Sequence, residues 1–372
     1  MPSSTSSSSR LTAADRPGVA QPVPVRDIPE RPWLLMLLGT LLLAIALTGA
    51  WEWHWRAFGV VPGIRDDDAL WARERRRIDT GEGHATVLIG SSRTLFDVQL
   101  PVWERLSGRR PIQLALVGTS PLLELEDLAN DTTFKGRLLI GVAPGLFFSG
   151  YNYRGSALAG FRKETPSQRV GKWLSMHLLE PRFAFYDEDF ALFTVLRRQS
   201  WPRRKELPVR MDVRKLSNCE PDRNTYLWYK VAADPAYRAL TRSIWAQDFN
   251  PPPPTPKDIV DNHKTFDEQI ARAAKAITQL RARGVPVLFV REPSVGDYYA
   301  SEDRAFPRQQ GWDVLLASTG APGIYFEDYA ELRSGYDLPE WSHMTRASAE
   351  RYTAALYRIM ERDFAPPDGS RW

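Results

Sequence analysis

Cysteine is nearly absent from this chain: Cys219 stands alone among 372 residues. An intrachain disulfide and a cysteine-built metal cluster are therefore excluded. The compartment stays open, because a disulfide-free protein works on either side of a membrane. A dominant charge of one sign is lacking as well. Lys and Arg number 49 against 45 Asp and Glu, and the net +4 is spread along the chain. That gives no footprint for a nucleic-acid partner. There is no glycine-rich phosphate loop and no internal repeat. Histidines number five, and no His and carboxylate cluster has metal-ligand spacing. The aspartates at 66–68 read as a solvated charge run beside a linker. Neither a metal nor a cofactor is expected.

Large apolar residues are sparse in the first 32 positions, which are rich in Ser, Pro and Arg. Such a segment cannot bury enough surface to offset its ordering entropy and reads as a disordered tail. The run from Trp33 to Trp51 then has 19 residues and no charge. As a helix it reaches roughly 28 Å, close to the hydrocarbon thickness of a bilayer. Trp33 at one end and Trp51, Trp53 and Trp55 at the other resemble an aromatic belt. The competing reading, a cleaved signal peptide, expects an apolar stretch of about 7–15 residues and a small-residue cleavage site, which this flank lacks. Arg10, Arg16, Arg26 and Arg31 precede the run, whereas only Arg56 and Arg65 closely follow it. The positive-inside bias places the tail in the cytoplasm and the large domain outside, which in a bacterium means the periplasm.

Residues 52–80 read as a connector with a charged helix, and an α/β pattern follows. Strands are expected at 87–90, 111–118, 136–144, 285–293 and 323–330, with helical stretches between them, as in parallel βαβ units. One helix starts near Ser120-Pro121, with Glu124 near the capping-box position. Another, 258–284, carries Phe266, Ile270, Ala273, Ala274, Ile277 and Leu280 at helical spacing and ends at Gly284. A closing helix spans Thr345 to Arg362. Residues 150–257 do not fit the alternation. They read as a helical insertion that ends in the stiff "PPPPTP" at 251–256. The basic stretch 197–205 interleaves Trp with Arg and reads as a solvated face, with an anionic surface as the alternative.

The carboxyl ends of parallel strands are where α/β proteins bind. The first strand ends in Gly90-Ser91-Ser92, the second in Gly118-Thr119-Ser120, the third in Ala143-Pro144-Gly145, and the fourth in Arg291-Glu292-Pro293-Ser294. Ahead of the closing helix stand Asp337, Glu340 and His343. A serine, a distant histidine and an acid are the minimum for a serine hydrolase or acyltransferase: the base takes the hydroxyl proton and the acid fixes the base. Turn N–H groups supply an oxyanion hole. Local chemistry does not separate Ser91 from Ser92, and both also read as helix N-caps. Cys219 lies far from these turns.

The order of these pieces resembles the SGNH, or GDSL-like, hydrolase superfamily. The resemblance covers roughly 84–148 and 258–362, with the middle unmatched. It implies a three-layer α/β/α sandwich with a mostly parallel sheet. "IGSSRT" matches the first block, with Ser92 as nucleophile and Ser91 where the family has Asp. Gly118 matches the oxyanion glycine of the second block. "GVAPGLFF" stands in the place of the third, with Gly145 as a backbone donor, but has no Asn. "EWSH" matches the last block, with His343 as base and Glu340 in place of Asp; Asp337 is the alternative acid. Thr119, Ser120, Arg291 and Ser294 are candidate pocket residues. Arg93 either binds an anionic substrate group or pairs with a carboxylate. The closer likeness is to membrane-anchored bacterial members that accompany cell-envelope polysaccharide acylation. It implies an esterase or O-acyltransferase of the inner membrane, with acylated sugar or polysaccharide as substrate and a membrane acyltransferase as a possible partner.

Overall fold

The computed structural model describes residues 30–199, 211–365 and 371–372. Most of the tail expected at 1–32, and residues 200–205 of the basic stretch, lie outside the described residues. The chain divides after Trp51. Before that point the described residues form the start of a 26-residue helix, Trp33–Phe58, which is long and apolar enough to cross a membrane and buries none of its residues.

From Glu52 onward the centre is a parallel sheet of five strands: β1 (Thr86–Ile89), β2 (Ile112–Gln113), β3 (Arg137–Gly141), β6 (Val287–Arg291) and β7 (Gly323–Tyr325), in the order β2-β1-β3-β6-β7. β4 (Ser217–Cys219) and β5 (Thr225–Leu227) form a separate antiparallel pair. Every residue of β1 and β6 is buried, as the continuous aliphatic runs of a covered parallel sheet require. The chain leaves β1 toward β2 on one side and returns to β3 on the other. That reversal opens a crevice at the carboxyl ends of β1 and β3. The helix Pro256–Ala282 starts at a capping box between Thr255 and Asp258 and buries Ile270, Ala273, Ile277 and Leu280. The closing helix runs Arg346–Asp363.

Several expectations are revised. The apolar helix runs on past Trp51 to Phe58, and the charged helix expected within 52–80 is present at Asp68–Arg77. The Glu52 carboxylate accepts the Ala184 and Phe185 N–H groups at 3.0 Å each, which holds the helix to Phe58. The next helix, Asp68–Arg77, buries Leu70 and Trp71. The aspartates at 66–68 are not a free solvated run but are only partly exposed and each has partners. Asp66 binds Arg223 and Arg154, Asp67 caps Leu70 N–H, and Asp68 holds Arg154 and Ser156. Burial opposes the charge on Asp66, but the two guanidinium groups outweigh it and hold its carboxyl below the usual range. Ser120 makes no capping box. Its N–H donates to Tyr151 O instead, and the helix starts at Leu122. Glu124 is then left inside, where burial pushes its carboxyl up to about 8. Between β3 and β6 lie short helices, including Pro166–Leu174 and Pro235–Ala246, and the β4–β5 pair, which the sequence pattern did not signal.

Candidate active site

β1 reaches Gly90 and the chain turns into a short helix, Ser92–Asp97. The turn needs glycine: a Cβ at Gly90, or at Gly141 on neighbouring β3, would collide with the Thr94 hydroxyl. That hydroxyl donates to Glu292 Oε1 at 2.6 Å, pinning the new helix to the end of β6. The two serines part company here. Ser91 occupies the N-cap position without making a side-chain cap bond, and its buried Oγ has no hydrogen-bond partner. Ser92 is the first helical residue and is partly exposed. Its Oγ lies 2.8 Å from His343 Nε2.

His343 sits on the loop before the closing helix. Trp341 takes a left-handed conformation there, with φ 77°, and its carbonyl accepts Val295 N–H at 2.9 Å. This turn folds Glu340 back under the imidazole. Glu340 Oε1 accepts both the His343 backbone N–H, at 2.6 Å, and Nδ1, at 2.8 Å. Its other oxygen accepts the indole N–H of Trp245. With the carboxylate at Nδ1, the network assigns the tautomer that leaves Nε2 as acceptor for the Ser92 hydroxyl. Phe96 packs on the ring at a centroid distance of 4.6 Å. Asp97 Oδ1 accepts Met344 N–H at 2.9 Å, tying the histidine loop to the serine helix. Burial pushes the Asp97 carboxyl well above its usual range. Both His343 and Glu340 are buried, so of the three only Ser92 meets solvent.

The turns beside the serine follow from the ladder. Leu114 N–H donates to Leu88 O at 2.8 Å and Leu116 N–H to Gly90 O at 3.0 Å, so the second strand runs alongside the first to its end. Gly118 then turns with φ 57° two residues beyond Leu116, and Ser92 opens its helix two residues beyond Gly90. Gly145 is the exposed second residue of the Pro144–Phe147 turn after β3. Thr119 and Ser120 are buried and bound to the 151–154 segment: Thr119 Oγ1 accepts Arg154 N–H at 2.8 Å. Arg93 does not face an anionic substrate. It is buried, pairs with Glu302 at 3.0 Å and bonds Ser342 Oγ at 3.2 Å. Arg291 and Ser294 also turn inward to Glu302, at 2.8 and 2.7 Å. Burial opposes the Glu302 charge, but Arg291 and Arg93 outweigh it and hold the carboxyl below its usual range. Asp337 is exposed and contributes backbone bonds, its N–H to Ser348 and its carbonyl to Thr345 N–H, so Glu340 takes the histidine.

Sequence reasoning missed Trp245, Glu302 and Asp97. Trp245 lies on the Pro235–Ala246 helix, in the stretch without α/β alternation, and no local signal marks it. The same helix sends Arg242 Nε to Pro339 O at 2.8 Å, so two of its side chains hold the Glu340 loop. Among the described residues no cluster of His, Cys, Asp and Glu has the arrangement to hold a metal ion. Compared with protein-family models, curated proteins and solved structures, the chain matches none.

Proposed function

We propose that the protein is a serine esterase or O-acyltransferase, with Ser92 as nucleophile, His343 as general base and Glu340 as the acid that fixes it. The observation that carries this reading is the pair of 2.8 Å contacts, Ser92 Oγ to His343 Nε2 and His343 Nδ1 to Glu340 Oε1. Ser92 Oγ attacks the ester carbonyl carbon while its proton passes to Nε2. The imidazolium is stabilised by the Glu340 carboxylate. The tetrahedral intermediate expels the alcohol, which takes the proton from Nε2, and leaves an acyl-serine. Water, or a sugar hydroxyl deprotonated by His343, then attacks that ester and restores the serine. Backbone N–H groups at Ser92, Gly118 and Gly145 serve the oxyanion. The third block has Ala143-Pro144-Gly145 where the SGNH pattern supplies an Asn, so the hole is built from backbone alone.

The parallel sheet with its reversal between β1 and β3 supports placing the domain with SGNH-like three-layer α/β/α folds, with residues of about 150–257 as a helical insertion. The apolar helix supports a single-pass anchor, with the domain on the periplasmic face of a bacterial inner membrane and an acylated envelope or exopolysaccharide sugar as substrate. The alternative, a non-catalytic polysaccharide-binding component, rests on the missing Asn. It gives no reason for a buried acid and imidazole to be aligned on a partly exposed hydroxyl. Hydrolysis of p-nitrophenyl acetate by the full chain decides between them. Wild type releases nitrophenol, whereas Ser92→Ala and His343→Ala do not. Equal rates in all three sink the enzyme reading.

A further inference from the structure

The helix Pro166–Leu174 and its continuation to Leu179 are built inside out. Lys172 and Glu180, 8% and 2% exposed, face the protein and bond to each other, with Lys172 Nζ to Glu180 Oε1 at 3.0 Å. Lys172 also reaches Asp67 and Arg65 O, and Glu180 accepts Arg65 N–H and the Ser175 hydroxyl. Met176 is buried beside them against Leu70, but the opposite face carries the other large apolar side chains. Val170 is 57% exposed, Trp173 59% and Leu178 51%, with Leu174 and Leu179 beside them. A domain surrounded by water places these residues the other way round.

Two further observations say what covers this face. The segment that follows is fastened to the end of the apolar helix: Ala184 and Phe185 N–H donate to Glu52, Arg182 O accepts Arg56 Nη2, and Phe190 packs on Trp55 with centroids 4.6 Å apart. Glu52 is the residue directly after the charge-free run. Leu192, Phe193 and Leu196, just beyond Phe190, are exposed as well. The second observation is charge. A cleft beside Trp173 is lined by Arg73, Arg76, Arg169 and Lys172; Arg76 and Arg169 share the Glu164 carboxylate, Lys172 is neutralised by Asp67 and Glu180, and Arg73, 52% exposed and 3.9 Å from Glu74, gives the rim its positive charge. Burial and the neighbouring Arg169 push the Arg76 guanidinium down. Apolar and aromatic side chains next to a cationic cleft are the chemistry of an interfacial helix on an anionic bilayer.

We infer that residues 166–179 lie on the membrane surface, with Val170, Trp173, Leu174 and Leu178 among the acyl chains and the arginine cleft on anionic phospholipid headgroups. This rests on the anchor reading above and goes beyond it: the folded domain makes a second, independent contact with lipid. The membrane then holds the domain at two places, which restricts its tumbling about the anchor.

The test uses the full chain in phosphatidylcholine–phosphatidylglycerol vesicles that contain doxyl-labelled lipid. Cys219 is buried, so an introduced cysteine takes an environment-sensitive fluorophore selectively. Val170→Cys and Leu178→Cys report on the surface, Leu42→Cys on the span, and His263→Cys, exposed on the Pro256–Ala282 helix, is the control. The proposal expects blue-shifted emission and loss of most of it to the lipid quencher at 170 and 178 but not at 263, and weaker quenching at 170 and 178 in phosphatidylcholine alone. Quenching at 42 without quenching at 170 and 178 overturns the proposal and leaves the anchor. Quenching at 170 and 178 without quenching at 42 upholds the surface contact and overturns the anchor. No quenching at any site overturns both. A blue shift at 178 without quenching assigns the face to a protein partner and also overturns the lipid contact.

Discussion

In the parallel sheet, Val87, Leu88 and Ile89 of β1 and Leu138, Leu139 and Ile140 of β3 are buried, and the aliphatic runs that mark the strands are the core. In the helix from Pro166 the order is reversed, with Lys172 and Glu180 inside and Val170, Trp173 and Leu178 outside. Both regions are regular and both are patterned. The difference teaches that periodicity identifies two faces of an element without saying which one is in. The neighbours decide. The strands are covered by helices, whereas the Pro166 helix lies over a polar layer of Asp67, Arg65 and Glu180 that needs partners more than it needs oil.

The largest expected effect lies in the sheet region, at its site. Glu340→Gln keeps the shape but loses the carboxylate at Nδ1. It is expected to lower kcat toward an acyl ester by about 10³–10⁴-fold, while Asp337→Asn leaves kcat within about twofold. Equal losses in the two variants would remove the assignment of the acid. Next comes the core itself. Leu139→Ala, on the central strand, is expected to cost about 2–5 kcal/mol in urea unfolding. Leu178→Ala, on the inverted helix, is expected to cost less than about 0.5 kcal/mol. A comparable cost at both positions would mean that Leu178 is covered within the folded chain, and the contrast between the regions would fail.

A pH dependence sharpens the sheet side further. Glu124 holds its proton up to about 8 in the folded state and releases it near 4.5 when unfolded. Between those values the folded state binds more protons, so stability falls as pH rises, by about 1.4 kcal/mol per pH unit from this group. Glu124→Gln removes that slope: its advantage over wild type grows from about pH 5 to about pH 8 in denaturant titrations and vanishes below. Parallel stability curves would show that Glu124 carries no buried proton. The smallest effect tests the one place where the middle region enters the site. Trp245→Phe keeps an aromatic ring, though a smaller one, and removes the N–H on Glu340, worth about 1–2 kcal/mol, or about tenfold in kcat/KM. An unchanged kcat/KM would confine the middle region to a bystander role.

Much of the sheet was legible because burial on both faces selects unbroken aliphatic runs: β2, β3, β6 and β7 fall inside the expected segments, and β1 starts one residue ahead of its own. The site was legible only in part. Ser92 and His343 lie 251 residues apart in sequence, and no local signal joins them. The order of the blocks joined them, and it also chose Ser92 over Ser91. What could not be read was pairing. Asp66 looks like any surface aspartate until Arg223 and Arg154 arrive from distant segments, and the carboxylate pairing open to Arg93 has no named partner until Glu302 supplies one. Ion pairs formed across long sequence separations leave no periodic trace, so charge composition alone reads them as solvent-facing. Trp245 was hidden for the same reason, as was Arg242 on the same helix: each is a donor that reaches the Glu340 loop from a distant segment.

The central claim is that Ser92, and not its buried neighbour Ser91, is the activated hydroxyl. Fluorophosphonate labelling of the full chain, with the adduct mapped by fragmentation of the peptide that ends at Arg93, tests it most directly. The account predicts one adduct, on Ser92, that is lost in His343→Ala and retained in Ser91→Ala. An adduct on Ser91, or Ser92 labelling that persists without His343, would contradict it.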